Sequence, residues 1–290
     1  MPTGTALNPP RCGACLSAKT SELTTLPLYL RNGEITTAVW RCDDCGTVFR
    51  DIDFNRVAAL GHFDVASYTD PHLEQRLYCS RIEFLRWILR LAQNHLNQCL
   101  ADMRVCDIGC AFGHMLDLVV SAGGVAVGVE IVDTLRTRIA QRGLRTYRTI
   151  DEIPRAESFD AILLIDSLYY FEDPAAALRA VRPRLAPDGI LILRTANRTP
   201  ALKLLRLLRI PLTSAHLGDV KNNFSYTGIC HLLMASGYRI IDVRQHECGR
   251  RGQRPLTWLY YRLAPIAGWL TRRKLGPGLV LICRPSRGMG

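Results

Sequence analysis

Residues 105–113 read Val-Cys-Asp-Ile-Gly-Cys-Ala-Phe-Gly, an apolar run that reaches a carboxylate at Asp107 and passes directly into a turn of small residues. At Gly109, Ala111 and Gly113 side chains are absent or minimal, so the backbone can bend sharply and approach a ligand closely. A helical stretch, 115–122, follows. An apolar run, a small-residue turn and a helix open a nucleotide-binding α/β unit, whose ligand lies outside the carboxyl end of the first strand. A second carboxylate stands where such a ligand needs one: 126–130 (AVGVE) is another apolar run, and Glu130 at its end can accept both hydroxyls of a ribose. The turn lacks the three-glycine dinucleotide fingerprint and has no P-loop lysine, which argues against nicotinamide and nucleoside triphosphate ligands.

A different chemistry is spaced out near the amino terminus. Cys12 and Cys15 form one CxxC and Cys42 and Cys45 another, with 26 residues between the pairs. Two residues between thiolates let both sulfurs face one ion, and two such hooks on a hairpin complete a tetrahedral four-thiolate zinc site. Gly13 and Gly46 are expected to ease the two tight turns. Between the hooks, 26–30 and 35–40 flank Asn32-Gly33, a strong hairpin signal. A site closed by four thiolates has no open position for water, so the zinc is expected to be structural, and a ribbon this small would not fold without it. A redox role for either CxxC is the alternative.

Downstream, Phe159–Ile165 (FDAILLI) reads as a buried strand ending at Asp166, and Pro187-Asp188-Gly189 as a turn feeding a strand over 190–195. Taken with VCDIGCAFG, GVEIVD and RLAPDGILILRT, these segments resemble the class I S-adenosylmethionine-dependent methyltransferases over roughly residues 100–285. The resemblance implies a Rossmann-like, doubly wound, mostly parallel seven-stranded α/β sheet with an antiparallel last strand. It places S-adenosylmethionine against Asp107, Gly109, Cys110, Ala111, Gly113, Glu130, Ile131, Asp151 and Asp166. Asp107 would lie near the amino-acid portion of the cofactor, Glu130 at the ribose and 150–152 at the adenine. Asp166, Ser167 and Leu168 would close the site. Many members carry glycine where this chain has Ala111.

Methyl transfer from a sulfonium needs alignment and exclusion of water, and a base only when the acceptor is a hydroxyl. Candidates for catalytic roles are His216, in a segment that borders the acceptor in similar enzymes, and Tyr169 and Tyr170, which follow the strand ending at Asp166. A solvated or helix-capping histidine is the plainer reading of His216.

These residues must be held by a core, and 290 residues with 48% apolar content suffice for one. Cysteine spacing and the resemblance together imply a zinc ribbon (1–60), a linker with a cofactor-capping helix (61–99) and a methyltransferase domain (100–290). Helical spacing of Leu77, Ile82, Leu85, Ile88, Leu89, Ala92 and Leu96 predicts one long helix, with Tyr68, Tyr78 and Arg81 as capping candidates. Alternating helices and strands then run through 175–181, 190–195, 226–236, 238–243 and 279–283, as a parallel sheet with helical crossovers requires. No run of 18 apolar residues exists, there is no charged-then-apolar amino terminus, and the eleven cysteines do not form a secreted disulfide pattern. A cytoplasmic protein with no transmembrane segment is expected.

The formal charge is +11, and it is lopsided: residues 198–290 hold 16 Lys/Arg against three Asp/Glu. Two segments carry much of it, 201–210 (ALKLLRLLRI) and 250–274, both amphipathic helix candidates; Pro265 is expected to break or kink the second. In the family resembled, insertions near 198–226 and 250–276 form helical lids over the acceptor. The charge suggests a small biosynthetic acceptor that is anionic, carrier-protein-linked or lipid-linked. RNA ranks behind it, because the ribbon itself carries a net charge of minus one over residues 11–53. A noncatalytic binding protein of the same fold is a third reading.

Overall fold

A computed structural model describes residues 9–30, 33–53, 57, 71–246, 255–270 and 274–286. Tyr68, Asn32, His62, Arg250 and Arg251 lie outside the described residues. The described residues form two sheets. The larger has strands β4 (Arg104–Ile108), β5 (Val125–Val129), β6 (Arg145–Tyr147), β7 (Phe159–Ile165), β8 (Leu185–Ala196), β10 (Tyr238–Gln245) and β11 (Gly278–Pro285), in the order β10-β11-β8-β7-β4-β5-β6. β4 pairs in parallel with both β5 and β7, whereas β11 runs antiparallel to both of its neighbours, β8 and β10. The central strands are continuous apolar runs because both faces are covered, as a parallel sheet demands.

Helix α1 (Pro71–Leu96) lies on one face. Its Phe84, Leu85, Ile88, Leu89 and Ala92 pack with Met115, Leu116 and Val119 of α2 (His114–Ser121) over Val105, Ala161, Leu163, Ile190 and Ile192. On the other face α4 (Pro174–Val181) and α7 (Tyr226–Ala235) bury Leu178, Val181, Ile229, Leu232 and Leu233 against Cys106, Ile162, Leu164, Leu191 and Leu193. Successive strand residues thus feed opposite cores, as the period of two requires. The short helix α3 (Asp133–Gln141) connects β5 to β6.

The expected Pro187-Asp188-Gly189 turn falls inside β8. Leu185 pairs with Phe159 and Ile190 with Ala161, so the turn is absorbed as a bulge in a strand that begins five residues earlier than predicted.

The smaller sheet is the ribbon. β1 (Thr20–Leu30) and β2 (Gly33–Cys42) pair from Thr20↔Cys42 to Leu30↔Gly33, which leaves two residues for the turn. β3 (Val48–Arg50) follows on β2, and the fourth strand, β9 (Asn222–Asn223), comes from the far side of the chain. The ribbon is therefore completed by the catalytic domain. Helix α5 (Thr199–Leu207) and the single turn α6 (Ser214–Leu217) dock on it: Leu202 and Leu217 are buried with Val39 and Val48. Helix α8 (Pro255–Leu270) runs unbroken through Pro265. Proline removes one N–H donor from a helix, and the helix continues past that loss.

Candidate functional site

The strand order reverses between β4 and β7: the chain builds β5 and β6 to one side of β4, then returns to place β7 and β8 on the other. A crevice opens at such a switch point, outside the carboxyl ends of the strands. There the backbone leaves β4 with left-handed φ angles of +79° at Gly109, +48° at Ala111 and +76° at Gly113. Gly109 is required twice over, because a Cβ there would also lie 2.6 Å from the Ser167 Cβ. Its N–H and that of Cys110 donate to the Val129 carbonyl, at 2.7 and 3.2 Å. The Cys110 side chain points into the core beside Leu116, so only its backbone faces the turn.

Glu130 is buried and organises the loop. Its Oε2 accepts the Ala111 N–H (2.8 Å) and its Oε1 the Val132 N–H (3.0 Å). Each oxygen keeps a lone pair for a further donor. Burial pushes its pKa upward against these hydrogen bonds. Asp107, on β4, is pushed up to about 7 by burial, with Arg81 opposing and Glu130 adding to the rise. Ile131, beside Glu130, is exposed. Asp151 sits exposed in the turn after β6, anchored through the buried Ile150.

Asp166 (φ +59°) does not offer a free carboxylate to the crevice. Arg81 of α1 donates to its Oδ2 at 2.8 Å and Arg194 of β8 to its Oδ1, so the carboxylate ties the capping helix to the sheet. Farther up α1, Tyr78 meets the His114 ring edge-on at 5.1 Å, and Leu77 packs with Phe112 and Val132. Neither arginine latching Asp166 was expected in that role, since their partner lies 85 residues from one and 28 from the other. Ser167, in contrast, is buried with no partner for its Oγ. A buried hydroxyl of this kind calls for a bound group. Together with the space that only glycine at 109 leaves, it fits a ligand lying along the loop.

Beyond Leu168, which is fully buried, the two tyrosines diverge. Tyr169 packs half-buried against the core, and burial drives its phenol pKa upward. Tyr170 meets it edge-on at 4.7 Å, donates its hydroxyl to Asp219 Oδ1 at 3.2 Å and packs on Leu28, Ile52 and Val57 of the amino-terminal region. The ribbon thus reaches the residue that follows the crevice.

His216 lies in α6, where its Nδ1 accepts the Thr213 N–H at 3.1 Å in a capping box. A neutral ring whose Nδ1 accepts carries its proton on Nε2. In this arrangement the imidazole can donate to an acceptor but has no lone pair free to take a proton.

The four cysteines converge. Cys12 Sγ lies 3.6 Å from Cys45 Sγ and Cys15 Sγ 3.5 Å from Cys42 Sγ, with all four sulfurs within 4.8 Å of one another. Four sulfurs each about 2.3 Å from a central ion would be separated by roughly these distances. Backbone N–H groups of Ala14 and Cys45 point at Cys12 and Cys42 Sγ (3.4 and 3.5 Å). The two turns follow one pattern, with the residue after each second cysteine left-handed: Leu16 (φ +60°) and Gly46 (φ +78°). Gly13, expected to serve that purpose, instead makes room for Asn222, whose Oδ1 would lie 3.0 Å from a Cβ there. Ser225 caps α7 through Gly228 N–H while donating to the Cys45 carbonyl at 2.5 Å, so the second hook is fastened to the catalytic domain.

The profile of the family described as "Methyltransferase domain" matches residues 72–243. The ubiquinone biosynthesis O-methyltransferase of Xanthomonas axonopodis pv. citri (strain 306) is 33% identical over 110 residues, which cover 35% of this chain and 46% of that one. A protein of the same description from Haemophilus ducreyi (strain 35000HP / ATCC 700724) is 26% identical over 113 residues, covering 34% and 48%. The chain therefore matches about half the length of these curated relatives. In fold, it is similar to the 1,6-didemethyltoxoflavin-N1-methyltransferase of Burkholderia thailandensis, solved with 1,6-didemethyltoxoflavin and S-adenosylhomocysteine. Their TM-score is 0.54 at 17% identity, over 90% of this chain and 99% of that one.

Proposed function

The chain belongs to the methyltransferase domain family and has the Rossmann-like fold of the class I S-adenosylmethionine-dependent methyltransferases, and from that premise we propose that it methylates a small biosynthetic acceptor. The observation that carries the reading is Glu130: a buried carboxylate that fixes the Gly109–Gly113 loop through Ala111 and keeps a lone pair on each oxygen for two vicinal hydroxyls. Bound S-adenosylmethionine supplies a methyl group already activated on a sulfonium.

The chain's own residues then have defined tasks. Glu130 takes the ribose hydroxyls, the exposed Ile131 and the turn at Asp151 flank the adenine, and the backbone at Gly109 to Gly113 borders the amino-acid portion. Asp107, ionised, faces the ammonium. Ser167 Oγ gains the partner it lacks. Arg81 and Arg194, through Asp166, hold α1 over the crevice and exclude water. Tyr170, braced by Asp219, would orient an acceptor hydroxyl or amine. The four thiolates would hold one structural zinc, which fixes the ribbon against Tyr170 and takes no part in the transfer.

An anionic or carrier-linked acceptor suits the basic carboxyl-terminal third, and the Xanthomonas and Haemophilus relatives named for ubiquinone biosynthesis support a small-molecule substrate. The decisive experiment incubates the chain with S-adenosylmethionine labelled in its methyl group, against fractionated metabolites and RNA. Label in a small-molecule fraction supports the proposal; site-selective label in RNA overturns it.

A further inference from the structure

Helix α8 presents four large apolar side chains outward. Leu259, Leu263, Ile266 and Leu270 recur at i, i+4, i+7 and i+11, which is one face of a helix, and they are 44, 53, 57 and 69% exposed. Ala264 and Gly268, on another face, are buried. A soluble helix ordinarily buries such a stripe. Helix α5 repeats the arrangement: Leu202 is buried on the ribbon, while Leu204, Leu207 and Leu208 are exposed, Leu207 by 79%.

The chain just before α5 meets the chain that follows α8. Asn197, just after β8, donates to the carbonyls of Lys274 and Gly276, and its N–H donates to the Pro277 carbonyl, just before β11. That point is at the carboxyl end of the parallel strands, the end at which the Gly109–Ser167 crevice opens. Basic residues border the apolar stripes: Lys203, Arg206 and Arg209 on and after α5, and Arg262 on α8, all exposed. Neither helix contains an acidic residue.

We propose that α5 and α8 dock the protein on an anionic lipid bilayer, lying in its surface with the crevice directed at the membrane. Exposed leucines enter the acyl boundary while lysine and arginine meet lipid phosphates, a combination that neither part explains alone. A second copy of the chain would set these cations against their own counterparts, with no carboxylate in either helix to pair them. RNA would engage the cations and leave the leucines in water. No helix among the described residues is long and apolar enough to cross a membrane, so the contact is with the surface.

Flotation of the full chain tests this, with vesicles of one part phosphatidylglycerol to two of phosphatidylcholine beside vesicles of phosphatidylcholine alone. The wild-type chain should float with the mixed vesicles and bind phosphatidylcholine about tenfold more weakly or less. Arg206→Glu with Arg209→Glu should cost about tenfold or more. Leu207→Ser with Leu263→Ser and Ile266→Ser, at unchanged charge, should cost a similar factor. Circular dichroism and S-adenosylhomocysteine affinity should be unaltered in both variants, which separates lost docking from lost fold. A wild-type chain that stays at the bottom of both gradients overturns the proposal. Binding indifferent to the serine substitutions overturns it in favour of a nucleic-acid surface, and a dimer that those substitutions dissociate overturns it in favour of self-association. Flotation depends on the two helices and calorimetry on the crevice, so each can fail without the other.

Discussion

At the scale of the residue, two carboxylates separate by environment. Glu130 spends one lone pair per oxygen on the loop and keeps the other, so Glu130→Ala should weaken S-adenosylhomocysteine binding by roughly ten- to a hundredfold, the loss of one or two charged hydrogen bonds. Calorimetry checks it, and unchanged affinity would remove Glu130 from the site. Gly109→Ala, which meets both a positive φ and the Ser167 Cβ, should lower both affinity and thermal stability, the latter by about 1–3 kcal/mol.

Asp107 gives a pH dependence whose sign can be worked out. Its folded value of about 7 stands above the ordinary 3.8. Between those values the folded chain holds a proton that the unfolded chain has shed, so this group's contribution to stability is complete at low pH and is lost as pH rises toward 7. Asp107→Asn should flatten that slope in urea titrations across pH 4–8. A cationic ligand favours the ionised form, so binding near pH 6.5 should release protons in the wild type and not in the variant, as calorimetry in buffers of different ionisation enthalpy will show. For the acceptor, His216→Ala should alter turnover little, because its Nδ1 already serves Thr213. Tyr170→Phe should lower kcat more than cofactor affinity. A His216→Ala variant that loses most of its turnover with its fold intact would reverse that order.

At the scale of the element, the clustered cysteine pairs and the strands were legible for the same reason: each is set by local spacing. CxxC turns two sulfurs toward one place whatever the rest of the chain does, and VCDIG or FDAILLI is apolar on both faces only if both are covered. Asp166 was legible as a strand end but not as the carboxylate that latches α1, because no local pattern records a contact made by Arg81 across the fold. Leu16 was missed as the left-handed residue of the first turn since its type disfavours that conformation; only the parallel with Gly46 could have shown it. The fourth ribbon strand left no signal at all: two asparagines are too short a run to have a period. Zinc removal should therefore be felt beyond the hooks. Chelation, or Cys42→Ser with Cys45→Ser, should abolish one bound zinc per chain and expose residues 197–225 to protease, because Ser225 and β9 lose their partners. A metal-free chain with that segment still protected would show that the ribbon holds without its ion.

At the scale of the whole molecule, the ribbon and the methyltransferase domain share a sheet, a hydrophobic cluster and the support of Tyr170. Removing residues 1–53 should not yield a well-behaved catalytic domain, since Leu202, Leu217 and Phe224 would lose the surface that buries them. Each such side chain is worth about 1.5–3 kcal/mol when covered. Aggregation, or a fall in melting temperature, is the expected outcome on expression, and a soluble fragment as stable as the full chain would contradict it. That shared sheet also orders events during synthesis. Thr47 Oγ1 has no Ser225 N–H to accept until the chain 178 residues later has been made, and a ribosome adding about 5–20 residues per second covers that interval in on the order of ten seconds or more. The nascent ribbon spends that time with the edge of β3 unpaired, and a metal held by its four cysteines would keep the hairpin closed until the polypeptide that completes it has been made.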